Sequence, residues 1–301
     1  MPHPEVQISV IVPAYNYAHL LPRALDSVLG QWRDGLELIV VNDGSTDGTL
    51  QVLGDYAARY PQVQVVDQAN GGAASARNHG IRLAQGRHVL LLDADDELLP
   101  TALASLSAAL AETPDAGIVL AAYVSVYPDG SERVRKPTPV PALSARELIS
   151  RYLLKKTLSV SHSCTLFRRD LLLQRPYPEM LSTGEDIPVF AYLLVSAPVA
   201  LTADPVARIY KHAGSLRHRR DNEEAFAMDV AREAFAQLPA DCQPLRRRFE
   251  AQSYLSLFRG ALLAQDSAAA RRFYLRAWQL SPGQAMRWTY VRKVLRLLVK
   301  S

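Results

Sequence analysis

The sequence has few of the features that mark a secreted or membrane-spanning chain. Its 301 residues include two cysteines, Cys164 and Cys242, which are too few for a disulfide framework and lack the close Cys/His spacing of a zinc site. No run of about 18 apolar residues is present, so we expect no membrane-spanning helix. The first residues, MPHPEVQ, have neither a basic nor an apolar region, so we expect no signal peptide and a cytoplasmic location.

Two common nucleotide-binding fingerprints are also missing. The glycine-containing segment 70–80 is not followed by Gly-Lys-Ser or Gly-Lys-Thr, which excludes a P-loop there. It is not a GxGxxG motif either, and it follows the third predicted strand rather than the first. These absences argue against a P-loop NTPase and against a dinucleotide-dependent oxidoreductase.

Charge is distributed unevenly along the chain. Residues 211–301 hold 17 Lys and Arg against 8 Asp and Glu, whereas residues 1–210 hold 17 against 22. A basic C-terminal part on an acidic body indicates an anionic partner, such as a membrane surface, an anionic glycolipid or a nucleic acid. A solvated basic face without a partner explains the same pattern.

Short apolar runs alternate with helical patterns over the first 125 residues. The runs are Ile8–Val12, Leu36–Val41, Val63–Val66, His88–Leu92 and Ile118–Val124. Runs this rich in Val, Ile and Leu are typical of strands buried on both faces of a mostly parallel sheet. The alternation predicts a doubly wound α/β fold, in which ligands bind beyond the carboxyl ends of the strands.

Polar residues follow the first two predicted strands. Tyr15, just after the first, could offer an aromatic face to a base, although a plain turn is the better explanation of this segment taken alone. After the second strand, Gly44 permits a tight turn. Asp43 is not needed for the turn, and its carboxylate is placed to accept the N3–H of a uracil ring.

The segment after the third strand contains small residues from Asn70 to Gly80. Small residues let a helix begin close to the sheet, with backbone N–H groups free to meet an anion. Arg77, one to two turns into that helix, is placed to contact phosphate.

The fourth strand runs directly into the acidic segment Asp93-Ala94-Asp95-Asp96-Glu97. Mutual repulsion makes such crowding unfavourable unless a cation is bound. Mg²⁺ and Mn²⁺ prefer carboxylate oxygens and keep open positions for phosphate. An acidic helix N-terminus is the alternative, and it explains Asp96 and Glu97 better than Asp93 and Asp95. We therefore predict a divalent metal site at Asp93 and Asp95.

Together these motifs resemble the family 2 glycosyltransferases, which share the GT-A nucleotide-diphospho-sugar transferase fold. The resemblance covers roughly residues 7–216 and departs at Asn42, where the family often has Asp. The matching segments are QISVIVPAYN, NDGSTDGT, NGGAASARNHG, LLDADD, Thr183-Gly184-Glu185-Asp186 and Tyr210-Lys211-His212-Ala213-Gly214-Ser215.

The resemblance implies a role for each matching position. Asp43 would bind uracil, Asp93 would contact ribose and metal, and Asp95 would coordinate the metal. Asp186 would be the catalytic base, and His212 would approach the metal or diphosphate from a closing loop. The residues expected to contact the donor are Pro13, Ala14, Tyr15, Asn16, Asp43, Asn70, Gly71, Arg77, Asp93, Ala94 and Asp95.

We accordingly expect a catalytic domain over residues 1–216, with a nucleotide-binding half (1–125) and an acceptor half (126–216), and a basic helical extension over 217–301. The expected reaction is inverting transfer from a nucleotide-sugar, most simply a UDP-sugar, to a glycan or glycolipid, with Mn²⁺ or Mg²⁺ as cofactor. A basic amphipathic helix over Met286–Lys300 suits peripheral contact with an anionic membrane, or packing on its own domain. By family analogy the setting is bacterial surface polysaccharide or lipopolysaccharide synthesis at the inner face of the inner membrane.

Two other functions are compatible with parts of the sequence. A nucleotidyltransferase shares the fold and the metal, but PAYNYAHL does not fit the Gly-rich basic loop that such enzymes carry after the first strand. A nucleic-acid-binding module explains the basic tail but not the acidic segment, so no nucleic-acid partner is expected.

Overall fold

The computed structural model describes residues 7–140, 142–211 and 223–299, which divide into two compact units. The first unit holds the described residues of Met1–Ala142 and Leu158–Arg217, and the second holds those of Leu143–Thr157 and His218–Ser301. The division drawn from the sequence assigned Leu143–Thr157 to the catalytic domain, whereas the structure groups it with the C-terminal helices. The reason is local packing, illustrated by the Gln252 amide, which donates to the Leu154 carbonyl at 3.1 Å.

The described strands form one mixed sheet in the first unit. They are β1 (Ile8–Ala14), β2 (Leu36–Asp43), β3 (Val63–Gln68), β4 (His88–Leu91), β5 (Glu97–Leu98), β6 (Ile118–Val126), β7 (Glu132–Arg135), β8 (Thr165–Arg168) and β9 (Val199–Tyr210). Their order is β3-β2-β1-β4-β8-β6-β9-β5, and β7 pairs with the outer part of β6. The five apolar runs of the sequence correspond to β1, β2, β3, β4 and β6.

Parallel pairing brings the carboxyl ends of the first four strands to one edge. β1 is parallel to both β2 and β4, and β2 is parallel to β3. β8 inserts antiparallel between β4 and β6. The segments after Ala14, Asp43 and Leu91 therefore meet at the same edge of the sheet.

Helices cover the sheet because their apolar residues recur at helical spacing. In α1, Leu21, Leu25 and Val28 are fully buried, and they pack in one core with strand residues such as Val10 and Leu38. The helices of the first unit are α1 (Leu21–Leu29), α2 (Thr49–Arg59), α3 (Gly72–Leu83), α4 (Ala102–Glu112), α6 (Arg169–Gln174) and α7 (Asp186–Ser196), with a 3₁₀ turn at His162–Cys164.

The second unit is helical in its described residues. It contains α5 (Ala145–Ile149), α8 (Glu223–Ala236), α9 (Arg246–Leu263), α10 (Ser267–Leu280), α11 (Pro282–Ala285) and α12 (Trp288–Val299), with a π-helix at Ser150–Lys155 and a 3₁₀ helix at Ala240–Leu245. Its core lies between α9 and α10, where Phe258, Phe273 and Ala277 are buried.

The last helix, α12, has apolar residues both on its buried face and on its exposed face. Leu297 is buried in the core of this unit, and Tyr290 and Val294 pack against it, so one apolar face is already covered. Trp288 and Leu295 remain 69% and 51% exposed among basic residues. Across the described residues, none of the helices combines the length and the apolar character needed to cross a bilayer.

Candidate active site

The segment after β1 is fixed to the segment after β2 by side-chain hydrogen bonds. Asn16 has a φ of 58°, a left-handed conformation that asparagine tolerates better than most residues. Its Oδ1 atom accepts from the backbone N–H of Thr46 at 2.7 Å and of Asp47 at 3.3 Å. Its own N–H donates to Ser45 Oγ at 2.9 Å. Asn16 thus shapes the site by joining two loops.

The other predicted residues of this segment differ in exposure. Ala14 is 2% exposed at the end of β1, and Pro13 is half-buried beside it. Tyr15 is 44% exposed, so its ring is available to a ligand. Tyr17, which was not predicted as a site residue, is half-buried, and its backbone N–H donates to Thr49 Oγ1 at 3.0 Å.

Asp43 ends β2 and binds the segment that begins α3. Its Oδ1 accepts from Gly71 N–H and its Oδ2 from Gly72 N–H, both at 2.8 Å. The Gln68 amide also donates to Oδ1, at 2.7 Å, and the Asn70 amide donates to the Asp43 carbonyl at 2.9 Å. Because Oδ2 accepts one of these bonds and Oδ1 two, acceptor capacity remains at Oδ2.

The departure at Asn42 has a structural explanation. Asn42 is 1% exposed, and its amide nitrogen donates to Asp67 Oδ1 at 2.6 Å. An aspartate at this position would place two carboxylates against each other without a proton donor. Asn42 and Asp67 therefore form a hydrogen-bonded donor–acceptor pair between β2 and β3.

The acidic segment after β4 contains residues in two different environments. Asp96 is 3% exposed, accepting from Ser163 Oγ at 2.6 Å and from Tyr210 N–H at 3.0 Å. The side chain of Asp93, in contrast, is 35% exposed. Ala94, which follows it, is buried. Asp95 is half-buried and presents its backbone carbonyl to the Arg23 guanidinium.

The carboxylates at this edge contribute to the raised pKa values around it, after burial, which is the largest cause. Burial, followed by the charge of Asp93, raises the pKa of Asp96 to about 8. Burial and the charges of Asp95 and Asp93 raise the pKa of the Tyr17 phenol to about 12. A cation bound here would offset the repulsion between these carboxylates, whose hard oxygens suit a divalent ion.

Arg77 is the main internal counter-charge. It is 7% exposed, with Nη2 on Asp93 Oδ1 at 3.1 Å and Nη1 on Glu185 Oε1 at 2.7 Å. Burial alone would raise the pKa of Asp93, but the nearby Arg77 charge holds that pKa below its usual value. Arg77 therefore positions acids from two distant segments, and its contact with a donor phosphate stays a prediction.

Asp186 is the first residue of α7 and differs from its neighbour Glu185. The Glu185 side chain is 15% exposed and paired with Arg77. Asp186 forms no ion pair with a cation among the described residues, and burial and the charge of Glu185 raise its pKa. Of the two adjacent acids, Asp186 is therefore the one available to accept a proton.

A cavity of about 580 Å³ opens beside the acidic segment in the first unit. Tyr15, Asn16, Asp95, Tyr127 and Lys211 are among the residues that line it. Arg23 also lines it, with its guanidinium 3.7 Å from the centre of the Tyr210 ring. Tyr15, Asn16 and Asp95, all predicted site residues, thus meet in one cavity.

The predicted metal ligands are brought together only in part. Asp93 and Asp95 follow the same strand, whereas His212 lies outside the described residues. Within the described ranges, no three His, Cys, Asp or Glu side chains form a metal-binding group. The metal site at Asp93 and Asp95 therefore stays a prediction.

Sequence reasoning missed the residues that orient the acids. Ser163 Oγ accepts from the Asp93 N–H at 3.2 Å and donates to Asp96. His162 beside it contacts the Tyr177 hydroxyl at 3.1 Å, and burial and Arg77 lower its pKa to about 3, which keeps it neutral. About 70 residues separate Ser163 from Asp93, and no local signal in the sequence connects them.

The sequence model of one family matches residues 9–175, more than half of the chain. It is described as glycosyl transferase family 2. The chain belongs to glycosyl transferase family 2. This assignment favours the glycosyltransferase interpretation over the nucleotidyltransferase and nucleic-acid-binding alternatives.

Relatives of this family 2 chain include two bacterial proteins. The uncharacterized glycosyltransferase YibD of Escherichia coli is 44% identical over 95 residues, which are 32% of this chain and 28% of YibD. Glycosyltransferase GlyG of Streptococcus pneumoniae is 24% identical over 249 residues, 78% of this chain and 80% of GlyG. The first match therefore spans less than a third of that relative's length.

Solved structures confirm the GT-A α/β fold with C-terminal helices. TarS of Staphylococcus aureus, in complex with UDP-GlcNAc, aligns with a TM-score of 0.70 and 22% identity over 90% of this chain and 81% of TarS. Mannosyltransferase PcManGT of Pyrobaculum calidifontis, in complex with GDP-Man and Mn²⁺, aligns with a TM-score of 0.55 and 19% identity over 97% and 84%.

Proposed function

We propose that this family 2 chain is an inverting glycosyltransferase that moves a sugar from a UDP-sugar to a hydroxyl of a glycan or glycolipid. The observation that carries the proposal is the Arg77 bridge, which joins Asp93 of the acidic segment to Glu185, the residue before Asp186. It links the predicted donor and metal edge to the predicted base. By analogy with the family, the proposed setting is bacterial surface polysaccharide or lipopolysaccharide synthesis.

The donor nucleotide binds across the ends of β1 and β2 in this proposal. The exposed Tyr15 ring stacks on the base, and Asp43 Oδ2 accepts the uracil N3–H. Pro13 and Ala14 form the floor beneath the ribose, and Asn70 and Gly71 close the side toward α3. TarS, which shares the fold, was solved with UDP-GlcNAc, and that supports a UDP-sugar here.

The donor set fits a hard divalent ion, Mn²⁺ or Mg²⁺. Asp95 and Asp93 would hold it, and His212 stays a proposed ligand from the resemblance. When bound, the ion would stabilise negative charge on the leaving diphosphate. The Mn²⁺ complex of PcManGT supports metal use in this fold.

The chain's own residues then account for the transfer. The acceptor hydroxyl attacks C1 of the sugar while its proton passes to the Asp186 carboxylate, and the C1–O bond to the diphosphate breaks on the opposite face. Because Glu185 is held by Arg77, Asp186 is the carboxylate of this adjacent pair that is available for that proton. Lys211, which lines the cavity with Asp95, adds positive charge near the departing diphosphate.

We further propose a cytoplasmic protein that contacts the inner face of the bacterial inner membrane. The support is the exposed side of α12, where Trp288 and Leu295 lie among Arg292 and Arg296. Basic residues attract anionic lipid, and tryptophan inserts at the interface. The buried face of the same helix takes no part in this contact with the membrane.

Calorimetric titration with nucleotides tests the donor site. We expect UDP to bind more tightly than GDP or dTDP, and only in the presence of Mn²⁺ or Mg²⁺. Asp95→Asn should abolish metal-dependent binding, whereas Asp129→Asn, at an exposed turn of the same unit, should bind as the wild type does. Metal-independent binding, or equal binding by both variants, would contradict the proposed site.

A screen of UDP-, GDP- and dTDP-sugars for hydrolysis then identifies the donor. The anomeric form of the free sugar released by hydrolysis, read by NMR before mutarotation, tests inversion. Retention of the donor's configuration would overturn the single-displacement mechanism.

A further inference from the structure

A second cavity, of about 520 Å³, lies on the acceptor side of the first unit. It is formed by the outer part of β6, by β7 with the residues after it, and by the segment leading into β8. Its described lining includes several hydroxyl groups and three cations, Arg135, Lys136 and Lys211, and none of these described residues is Asp or Glu. Hydroxyl groups and tyrosine rings of this kind suit a carbohydrate.

Among the described residues the cations of this cavity form no ion pair, although the charge of Lys211 acts on Asp93. Arg135 Nη2 donates to the neutral Tyr127 hydroxyl at 2.7 Å. Within the described ranges, none of the three cations is paired with a carboxylate, although nearby Arg208 is paired with both Glu97 and Glu132. The described lining of this cavity therefore carries a local excess of positive charge.

The cavity borders the catalytic site. Lys211 and Tyr127 line both this cavity and the one beside Asp95. Cys164, which lines the second cavity, directly follows Ser163, and Ser163 binds the Asp93 backbone. An acceptor in this cavity would therefore lie next to a donor held at the acidic segment.

We propose that this cavity binds the acceptor and that the acceptor is anionic, with a carboxylate or phosphate group held by Arg135 and Lys136. The inference rests on the proposed function and adds the chemical class of its acceptor. Charge-assisted hydrogen bonds from these cations to the anionic oxygens supply the selectivity over neutral glycans. Lys211, at the boundary, faces both the acceptor and the diphosphate.

The test compares three acceptor probes of equal length: a uronic-acid oligosaccharide, a polyol-phosphate oligomer and a neutral oligosaccharide. Binding is measured by calorimetry and NMR, with and without UDP and Mn²⁺, on three proteins. These are the wild type, the double variant Arg135→Gln/Lys136→Gln, and the control Arg59→Gln/Arg82→Gln, which removes two exposed arginines elsewhere in the same unit.

We expect at least one charged probe to bind the wild type about tenfold or more tightly than the neutral probe at low salt, and to lose that advantage as salt rises. The Arg135/Lys136 variant should lose most of the difference, and the Arg59/Arg82 control should retain it. The charged probe that binds more tightly identifies the group as carboxylate or phosphate.

Equal binding of charged and neutral probes by the wild type would overturn the inference, as would equal losses in the two double variants. The UDP titration distinguishes this failure from failure of the proposed function. If UDP binds with Mn²⁺ and the charged probes do not, the acceptor assignment falls and the transferase proposal stands. If charged probes bind and no nucleotide does, the cavity is no acceptor site and both proposals fall.

Discussion

Arg77 Nη1 donates to Glu185 Oε1 at 2.7 Å, across 108 residues of sequence. This contact gives two adjacent acids different tasks. Glu185 neutralises a buried guanidinium, whereas Asp186 has no cationic partner among the described residues and a raised pKa.

Replacing Asp186 by Asn should lower turnover at least about a hundredfold, the effect expected when a general base is lost. UDP affinity should remain near that of the wild type, because Asp186 accepts a proton and does not hold the nucleotide. Steady-state kinetics and calorimetry measure the two quantities. Asp170→Asn, a matched change in the first turn of α6, should leave both unaltered, and near-normal turnover in Asp186→Asn would rule out its role as the base.

The rate of transfer should fall as the pH is lowered, and the midpoint of that fall should lie above the ordinary pKa of aspartate. Burial and the charge of Glu185 raise the pKa of Asp186, so the proton stays on to higher pH and the base is lost as pH falls through that raised value. Glu185→Gln removes one of the two causes and should shift the acid limb of the kcat profile to lower pH. An unshifted limb in Glu185→Gln would show that another group titrates.

Arg77→Met should destabilise the first unit by about 3 kcal/mol, because it leaves Asp93 and Glu185 without their counter-charge. The value is at the low end for a broken buried pair because Asp93 is partly exposed. Urea unfolding measures the change in free energy. Arg82→Met, on the exposed side of the same helix, should change the stability by less than about 0.5 kcal/mol, and a similar result for both variants would contradict a structural role for the bridge.

Gly44→Ala should disturb the loop that carries Asn70 and Gly71. Gly44 has a φ of 68°, and a Cβ atom there would lie 2.7 Å from the Asn70 backbone nitrogen. The strain should lower stability by about 1–3 kcal/mol and weaken UDP binding. Gly54→Ala is the contrasting variant, because Gly54 lies within α2 with nothing within 4 Å of a built Cβ.

Gly54→Ala should raise stability by about 0.5–1 kcal/mol, as alanine has the higher helix propensity. Thermal unfolding of both variants shows whether each change raises or lowers stability. We expect a loss of stability in Gly44→Ala and a gain in Gly54→Ala. Losses of similar size in both variants would contradict both backbone arguments.

Much of the first unit could be predicted from local sequence. The apolar runs that became β1, β2, β3, β4 and β6 have lengths and compositions that suit buried strands, and the helical stripe of α1 has the spacing of a buried face. The order of β-α-β units then requires the strand ends to meet at one edge, which is why Tyr15, Asn16 and Asp95 share a cavity.

The grouping of Leu143–Thr157 with the C-terminal helices was not predictable in the same way. Its short helices have no feature that shows which core they join, and the hydrogen bond from Gln252 to Leu154 links residues 98 positions apart. Similarly, the apolar pattern of α12 did not show that Leu297 would be buried in its own unit while Trp288 remained exposed.

The sequence by itself therefore determined the strands, the main helices and the residue types at the ends of the strands, because periodicity and turn chemistry are local properties. Only the tertiary structure decided the pairing of Arg77 with Asp93 and Glu185, the support of Asp93 by Ser163, and the cluster of cations around the second cavity. Those features depend on segments far apart in the chain, and their electrostatics depend on burial that appears only when the sheet is assembled.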